Sequence, residues 1–188
     1  YIRHDLRTYQ MPDTLLNRGV ASEYYNKQTN NNLYIGGQIK RSANNNLSFG
    51  ANAETVILGT YAGDFSLDGN LQYRFPLLKK FAIVSANARM SNLTPSYYYN
   101  HFHSTYCWWD LDSKREFVTR LEGNIEIEKT NTKMWVGVEN KTNYTYLANI
   151  GTGYTEEGTI LPTYNVKAYQ HSGSIQILSA NLQQNFKL

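Results

Sequence analysis

The sequence predicts an all-β fold, an antiparallel up-and-down transmembrane β-barrel, and three observations support this prediction. Long segments alternate between polar and apolar residues, as strands with one wet and one apolar face do. The connections between these segments alternate between short and long. No apolar period of ~3.6 residues persists, so we expect no substantial helix. The 188 residues suffice for a single domain.

The clearest strand is Asp64–Phe75, in which polar and apolar residues alternate over 12 positions. Side chains of a strand point to opposite faces with a period of two, so one face of this segment is apolar and the other is polar. Globular strands usually have about 5–6 residues, whereas a tilted strand needs ~9–11 residues to cross a bilayer. The length of the segment therefore favours a membrane-spanning strand.

The same alternation predicts six further strands along the chain. In order they are Leu33–Lys40, Leu47–Leu58, Ala82–Met90, Phe117–Ile127, Met134–Tyr146 and Ser174–Leu188. In the last of them the phase breaks near Ile177 and Leu178, as a β-bulge would cause. Residues 1–32 are expected to form an irregular lead-in of strand and loop, with one or two more strands within Tyr1–Asn26. The chain would then hold about seven to nine strands.

The connections sort by length into two alternating groups. The short ones are Lys40–Leu47, Pro76–Lys80 and Lys129–Lys133, and the medium or long ones are Gly59–Gly63, Leu93–Lys114 and Leu147–Gly173. Transmembrane β-barrels carry short turns on one rim and longer loops on the other. A soluble Greek-key sandwich has no physical reason for such sorting, so the loops favour the barrel.

The composition excludes several classes of protein. Hydrophobic residues make up 41% of the chain, yet the mean hydropathy is −0.55 and no apolar run reaches the ~18 residues of a transmembrane helix. The 16 tyrosines and 3 tryptophans are typical of membrane interfaces, although tyrosine is also a good strand former. Because the net charge of +3 is scattered, nucleic acid is not an expected partner. Cys107, the single cysteine, cannot form an internal disulfide.

The polar residues of the predicted strands would line a hydrated interior. These candidate pore-lining residues are Asp64, Asp68, Asn70, Gln72, Arg74, Asn87, Arg89, Arg120, Glu122, Asn124, Glu126, Glu139 and Lys141. Facing charges of opposite sign could set ion selectivity in such an interior. The alternative is that these charges pair with one another and only brace the wall.

The densest chemical feature is the aromatic segment Ser96–Asp110, a candidate outer-rim loop. Its candidate residues are Tyr97, Tyr98, Tyr99, His101, His103, Trp108 and Trp109. They could stack on sugar rings or narrow a pore, or they could anchor the loop at the membrane interface. His101 and His103 do not have zinc-site spacing and no second cysteine exists, so no metal and no cofactor are expected. No motif frames a nucleophile, so we expect that the protein is not an enzyme.

Several segments resemble a known family. Gly50–Leu71, Trp109–Glu116, Val136–Tyr146 and Ser174–Leu188 resemble, in the same order, the β-barrel porins of the Bacteroidetes outer membrane. The resemblance implies a porin-like channel for passive diffusion of small hydrophilic solutes, located in the bacterial outer membrane. It also implies a longer precursor with a signal peptide and further strands, so residues 1–188 are expected to be a single, incomplete barrel domain.

Two other functions remain open from the sequence. The barrel could be non-conducting and act as a scaffold or subunit of an outer-membrane protein complex. The chain could instead be a soluble β-sandwich that binds carbohydrate through Trp108, Trp109 and the tyrosines. If the chain is a membrane barrel, the expected partners are outer-membrane lipid and other outer-membrane or surface proteins.

Overall fold

The computed structural model describes residues 1–12, 25–42, 46–104, 107–149, 151, 153–154, 160–161 and 166–186. Eight long strands form one sheet, namely β1 (Ile2–Pro12), β2 (Tyr25–Arg41), β3 (Leu47–Gly59), β4 (Phe65–Leu77), β5 (Lys80–Leu93), β8 (Glu116–Ile127), β9 (Thr132–Asn149) and β12 (Val166–Gln184). The connections hold shorter elements, namely α1 (Tyr97–Asn100), β6 (His101–His103), β7 (Trp108–Asp110), β10 (Gly153–Tyr154) and β11 (Ile160–Leu161).

The large sheet has up-and-down topology. Its order is β1-β2-β3-β4-β5-β8-β9-β12, and every adjacent pair is antiparallel. The prediction of an all-β, antiparallel up-and-down fold is therefore confirmed. Among the described residues no ladder of hydrogen bonds joins β1 to β12, so closure of the barrel is not observed.

The sheet is nonetheless curled. In a flat sheet, seven steps of ~4.8 Å would place β1 and β12 about 34 Å apart. Both edges instead approach the small hairpin that β6 and β7 form, with Cα atoms of β6 and β7 within 8 Å of β1 and β12, respectively. The two edges therefore lie within roughly 25 Å of each other at this rim. The sheet bends around the side on which the hairpin lies.

The connections sort to the two rims as predicted. One rim carries the strand ends that 42–46, 78–79 and 128–131 join, and the other rim carries the strand ends that 13–24, 60–64, 94–115 and 150–165 join. The tightest turn is Leu78–Lys79, where both residues have positive φ angles of 54° and 68°. Two-residue hairpin turns of type I′ require this backbone because its twist matches that of the flanking strands.

The strands differ from the predictions at their ends. Three strands are longer than predicted: β5 extends beyond Ala82–Met90, β9 extends beyond Met134–Tyr146, and β12 begins before Ser174. Backbone pairing continues at these ends although the side-chain alternation weakens. The bulge of the last strand lies between His171 and Ser174, not near Ile177 and Leu178. No phase break occurs there, because Ile177 simply lies opposite Glu139 on the polar face.

Within the described part of the first 32 residues, 2–12 and 25–32 form regularly paired strands. β1 pairs with β2 without a break from Ile2 opposite Ile35 to Pro12 opposite Tyr25. Residues 13–24 lie outside the described part of the chain. The only helix in the described residues, α1, has 4 residues. In that part of the chain, no helix is both long and apolar enough to cross a membrane.

The two faces of the sheet differ sharply. One face, called the apolar face, carries Phe65, Leu67 and Leu71 of β4, and the other, called the polar face, carries the polar residues between them. Large side chains of the apolar face are exposed, with Leu121 at 56% and Leu178 at 84%. No second sheet of comparable size covers this face among the described residues, so they do not form a β-sandwich.

Candidate functional site

The register of the sheet brings the predicted pore-lining residues together on the polar face. Asp68 lies opposite Arg89, Arg89 opposite Arg120, and Arg120 opposite Glu139, so four charges form one row across four strands. The neighbouring row contains Asn70, Asn87 and Glu122. The other predicted residues on this face are Gln72, Arg74, Asn124, Glu126 and Lys141.

The charges of this face pair with one another, and the pair of Asp68 and Arg89 remains accessible to water. Arg89 Nε lies 3.5 Å from Asp68 Oδ1, and these side chains are 54% and 45% exposed. Glu139 is contacted by Arg120 Nη1 at 3.5 Å and by Lys141 Nζ at 2.9 Å. Exposed ion pairs contribute only ~0–1 kcal/mol to stability. The pair of Asp68 and Arg89 therefore orders charges of the wall without holding the fold together.

An open cavity lies over this face. Its volume is about 580 Å³, and its lining includes Lys40, Asn52, Asp68, Asn70, Asn87, Arg89, Arg120 and Glu122. On the apolar face, small residues leave a second open depression of about 810 Å³, at Gly37, Ala51, Gly69 and Ala88. The first cavity combines charged side chains with amide groups, which suits a surface that contacts dissolved solutes.

Toward the short turns the polar face is braced. Arg74 Nη2 donates a hydrogen bond of 3.2 Å to Glu128 Oε1, and its guanidinium lies 4.0 Å from the centre of the Phe81 ring. Lys133 Nζ lies 2.8 Å from Glu126 Oε1. Both expectations for these residues, that they line the face and that they pair, therefore describe their geometry.

Asp64 departs from the prediction. It is only 5% exposed and does not lie on the open wall. Its carboxylate accepts hydrogen bonds of 2.8 Å from Thr94 N, Thr94 Oγ1 and Arg115 Nε. Thr94 follows β5 directly and Arg115 precedes β8, so one carboxylate fastens both ends of the connection 94–115. The polar–apolar alternation led to the wrong assignment of Asp64, because Asp64 lies at the end of a turn, one residue before β4 begins.

The connection 94–115, called the long loop, folds over the polar face. The Tyr97 ring stacks on the Tyr9 ring with centroids 3.9 Å apart, and Tyr97 Oη donates a hydrogen bond of 3.2 Å to Gln28 Oε1. Tyr9 and Gln28 are register partners in β1 and β2, on the same side as Arg3. The loop therefore crosses from the middle of the sheet to its first strand. Burial raises the pKa of the Tyr97 phenol above its ordinary value.

The aromatic residues of the long loop mostly pack the loop itself. Trp109 is buried, its ring stacks on Phe102 at 4.8 Å, and its Nε1 donates to the carbonyl oxygens of Tyr98 and Tyr99 at 3.2 and 3.1 Å. The His103 and Trp108 rings stack at 3.7 Å with an angle of 8° between their planes. Of the predicted rim residues, Tyr98 is the most exposed. This geometry agrees with the alternative that these residues anchor the loop.

His101 and His103 share one carboxylate. His101 Nδ1 lies 2.9 Å from Asp110 Oδ1, and His103 Nε2 lies 3.0 Å from both Asp110 oxygens. The other ring nitrogen of His103, Nδ1, lies 3.0 Å from the carbonyl oxygen of Pro12. Partial burial raises the pKa of Asp110, but the two histidine hydrogen bonds and charges outweigh it, so the net pKa is below its ordinary value. The described residues contain no group of three or more His, Cys, Asp or Glu arranged to hold a metal ion.

A second charged cluster on the polar face was missed by the sequence analysis. Arg3 Nη2 donates a hydrogen bond of 2.9 Å to Glu54 Oε1, and its guanidinium lies 3.7 Å from the centre of the Tyr34 ring. Arg7 Nη2 lies 2.9 Å from Asp5 Oδ2. The signal was the alternation of charge at Arg3, Asp5 and Arg7, which the expectation of an irregular lead-in obscured.

Aromatic groups lie near both ends of the strands. Toward the long connections, the rings of Tyr144, Tyr146 and Tyr169 form a row with centroids 6.3 and 6.1 Å apart. Toward the short turns, Tyr73 and Phe75 of the apolar face stack at 5.8 Å. Two separated aromatic levels are the arrangement that transmembrane barrels show at their two interfaces.

Comparison with known proteins identifies the family. The family model described as "putative porin" matches residues 1–188, the whole chain. The chain belongs to this porin family. No curated protein and no solved structure was found to match. The resemblance that the sequence segments indicated is confirmed for the family, and a porin-like role in general is what the membership supports. In this member of the porin family, the polar face and the long loop lie on the same side of the sheet.

Proposed function

We propose that the protein is a porin of the bacterial outer membrane, through which small hydrophilic solutes diffuse passively. The observation that carries the proposal is the contrast between the two faces of a single curled sheet. The face on the inside of the curl bears paired but accessible charges, and the opposite face bears exposed leucines such as Leu121 and Leu178. Lipid is the solvent that such an apolar outer face requires.

The dimensions of the apolar face agree with a bilayer. On β4 it runs from Phe65 to Phe75, about ten residues of ~3.4 Å, which gives ~34 Å along the strand. At a strand tilt of ~40° this projects to ~26 Å, close to the ~25 Å apolar band of transmembrane barrels. Outer-membrane lipid is therefore the proposed partner of this face.

Filtering would be steric and electrostatic. The long loop narrows the polar side by crossing it to Tyr9 and Gln28, and the row from Asp68 to Glu139 sets opposite charges at one height. Rings of charged side chains are a general means of ion selection in pores. No bond is made or broken in this mechanism, so we propose neither a catalytic activity nor a cofactor.

Conductance in a planar lipid bilayer tests the proposal. We expect the whole purified protein to conduct ions, and we expect Arg89→Gln to shift the reversal potential in a salt gradient toward cation selectivity. The matched control is Arg41→Gln, because Arg41 lies opposite Phe49 on the apolar face and its loss should leave the reversal potential unchanged. Absence of any ion current from the folded wild-type protein would contradict the porin function.

A second candidate is a non-conducting barrel that serves as a scaffold or subunit of an outer-membrane complex. The packing of the long loop favours it, since the buried Tyr97 and Trp109 give that loop a rigid core on the polar side. Liposome swelling in sugars of graded size separates the two candidates. A porin admits the small sugars, whereas a filled barrel admits none.

A further inference from the structure

The long loop has a fastening that the porin function does not require. His103 contacts β1 through the carbonyl oxygen of Pro12 and contacts β7 through the carboxylate of Asp110. The residues His103 and Pro12 are 91 positions apart in the chain. The imidazole therefore bridges the loop and the first strand of the sheet.

The bridge needs a proton on each ring nitrogen. A carbonyl oxygen can only accept a hydrogen bond, and so can a carboxylate. His103 Nδ1 faces the Pro12 oxygen at 3.0 Å and His103 Nε2 faces the Asp110 oxygens at 3.0 Å. A neutral imidazole donates from one nitrogen only, so its other nitrogen would present a lone pair to an acceptor. The observed geometry is that of an imidazolium.

The neighbouring histidine does not have this requirement. Within the described part of the chain, the hydrogen bond of His101 is made through Nδ1, at 2.9 Å from Asp110 Oδ1, and a neutral tautomer with its proton on Nδ1 keeps it. Loss of one proton therefore leaves His103 with one donor for its two acceptors, so one of its two hydrogen bonds is lost, whereas His101 keeps its hydrogen bond. His103 is also shielded, since its side chain is 12% exposed and its ring is covered by Trp108.

The groups around His103 leave Asp110 as its charged partner. From β7, Asp110 supplies a carboxylate, and from β6, His101 shares it. From α1, Tyr97 lies beside His101 and stacks on Tyr9 of β1, and burial raises the pKa of Tyr97, so this phenol stays neutral at physiological pH. Among the described residues, no other ion pair with His103 competes with this carboxylate.

We propose that His103 is a proton-binding site that clamps the long loop to β1 when the imidazole is charged and releases it when the imidazole is neutral. Imidazoles change charge between about pH 5 and pH 8. The clamp is closed at the acidic end of this range and open at the alkaline end. For the pore, which rests on the proposed function, release of the loop widens the passage on the polar side as the pH rises.

Tryptophan fluorescence tests the clamp without any need for conduction. A protonated imidazole in contact with an indole quenches its emission, so emission from the folded wild-type protein should rise between pH 5.5 and pH 8. His103→Gln and Trp108→Phe should each remove this rise. His171→Gln and His4→Gln are matched controls that should keep it, because neither residue lies in the long loop. A rise that persists in His103→Gln or Trp108→Phe would overturn the proposal.

Two further measurements keep the test decisive. Asp110→Asn removes the negative partner of His103 and keeps a hydrogen-bond acceptor, so the midpoint of the fluorescence rise should move to lower pH. This test remains valid if the His103→Gln variant fails to fold. An unchanged midpoint would count against the clamp. Losing one charge-assisted hydrogen bond should raise the ratio of released to clamped loop roughly tenfold. Protease cleavage within the loop should therefore accelerate by up to that factor at pH 8 in the wild type.

Conductance then separates the two proposals. A current that grows with pH in the wild type, but not in His103→Gln, supports both. A complete absence of current together with the fluorescence rise overturns the porin function and leaves the clamp. A current that is independent of pH, together with unchanged cleavage of the loop, overturns the clamp and leaves the porin.

Discussion

The wall of the polar face and the long loop use the same kinds of residue in opposite ways. In the wall, Asp68 and Arg89 are half exposed and their closest charged atoms are 3.5 Å apart. At the base of the long loop, the buried carboxylate of Asp64 accepts hydrogen bonds of 2.8 Å from Arg115 and from two atoms of Thr94. An ion pair in water is weak and adaptable, whereas a buried and fully bonded carboxylate is costly to disturb.

Under the proposed porin function, this contrast separates the wall that solutes would meet from the loop that keeps its shape. Charges that stay hydrated in the wall can exchange partners with a passing ion at little cost. The long loop must keep its path across the sheet, so Tyr97, Trp109 and the anchoring carboxylate of Asp64 are buried. We therefore expect substitutions in the loop to change stability and substitutions in the wall to change selectivity.

The largest effect should come from Trp109→Ala. This change removes a buried ring that stacks on Phe102 and whose Nε1 caps two carbonyl oxygens, and we expect a loss of about 3–5 kcal/mol of loop stability. Hydrogen exchange of residues 94–115 in the detergent-folded protein measures it. The conservative Trp109→Phe should retain most of the protection. Full protection in Trp109→Ala would mean that the ring is not the core of the loop.

A matched pair of aspartates breaks or sharpens the comparison directly. Asp64→Asn removes the charge that binds Arg115 and should cost about 2–3 kcal/mol, whereas Asp68→Asn should cost less than ~1 kcal/mol. Both costs can be measured by urea unfolding in lipid vesicles, with the folded fraction read from the electrophoretic mobility of the folded protein. Equal costs for the two variants would remove the distinction between anchor and wall.

A smaller effect is expected for the hydroxyl of Tyr97. Tyr97→Phe keeps the ring stacked on Tyr9 and loses the hydrogen bond to Gln28, with an expected cost of about 1 kcal/mol. Tyr98→Phe is the control, because Tyr98 is half exposed and should tolerate the change. Hydrogen exchange of the loop measures the cost of both changes. A larger cost for Tyr98→Phe would show that Tyr98, and not Tyr97, fastens the loop.

The smallest effect expected is the loss of loop stability in acid through protonation of Asp110. Because the pKa of Asp110 in the folded loop is lower than its ordinary value, its stabilising contribution is complete above the ordinary range of ~4. The contribution is lost as the pH falls through the lowered pKa. Protease sensitivity of the loop should therefore rise below about pH 4, and Asp110→Asn should show a smaller change over the same interval. Equal pH profiles of protease sensitivity in the wild type and in Asp110→Asn would show that another residue causes the acid response.

The sequence predicted the wall better than the loop. Twelve of the predicted residues, from Asp68 to Lys141, lie on the polar face because strand alternation is a local property that the register preserves. Asp64 was misplaced because it precedes the strand, where alternation carries no information. The Arg3 and Glu54 cluster was missed because the first residues were not recognised as a strand.

By itself, the sequence determined the all-β class, the alternation of short and long connections and the division of each strand into a polar and an apolar face. These follow from the period of two, which each segment carries regardless of its neighbours. Only the tertiary structure decided that the long loop crosses to β1, that Asp64 holds both of its ends and that His103 meets the Pro12 carbonyl. Such contacts join distant residues, and packing rather than local periodicity selects them.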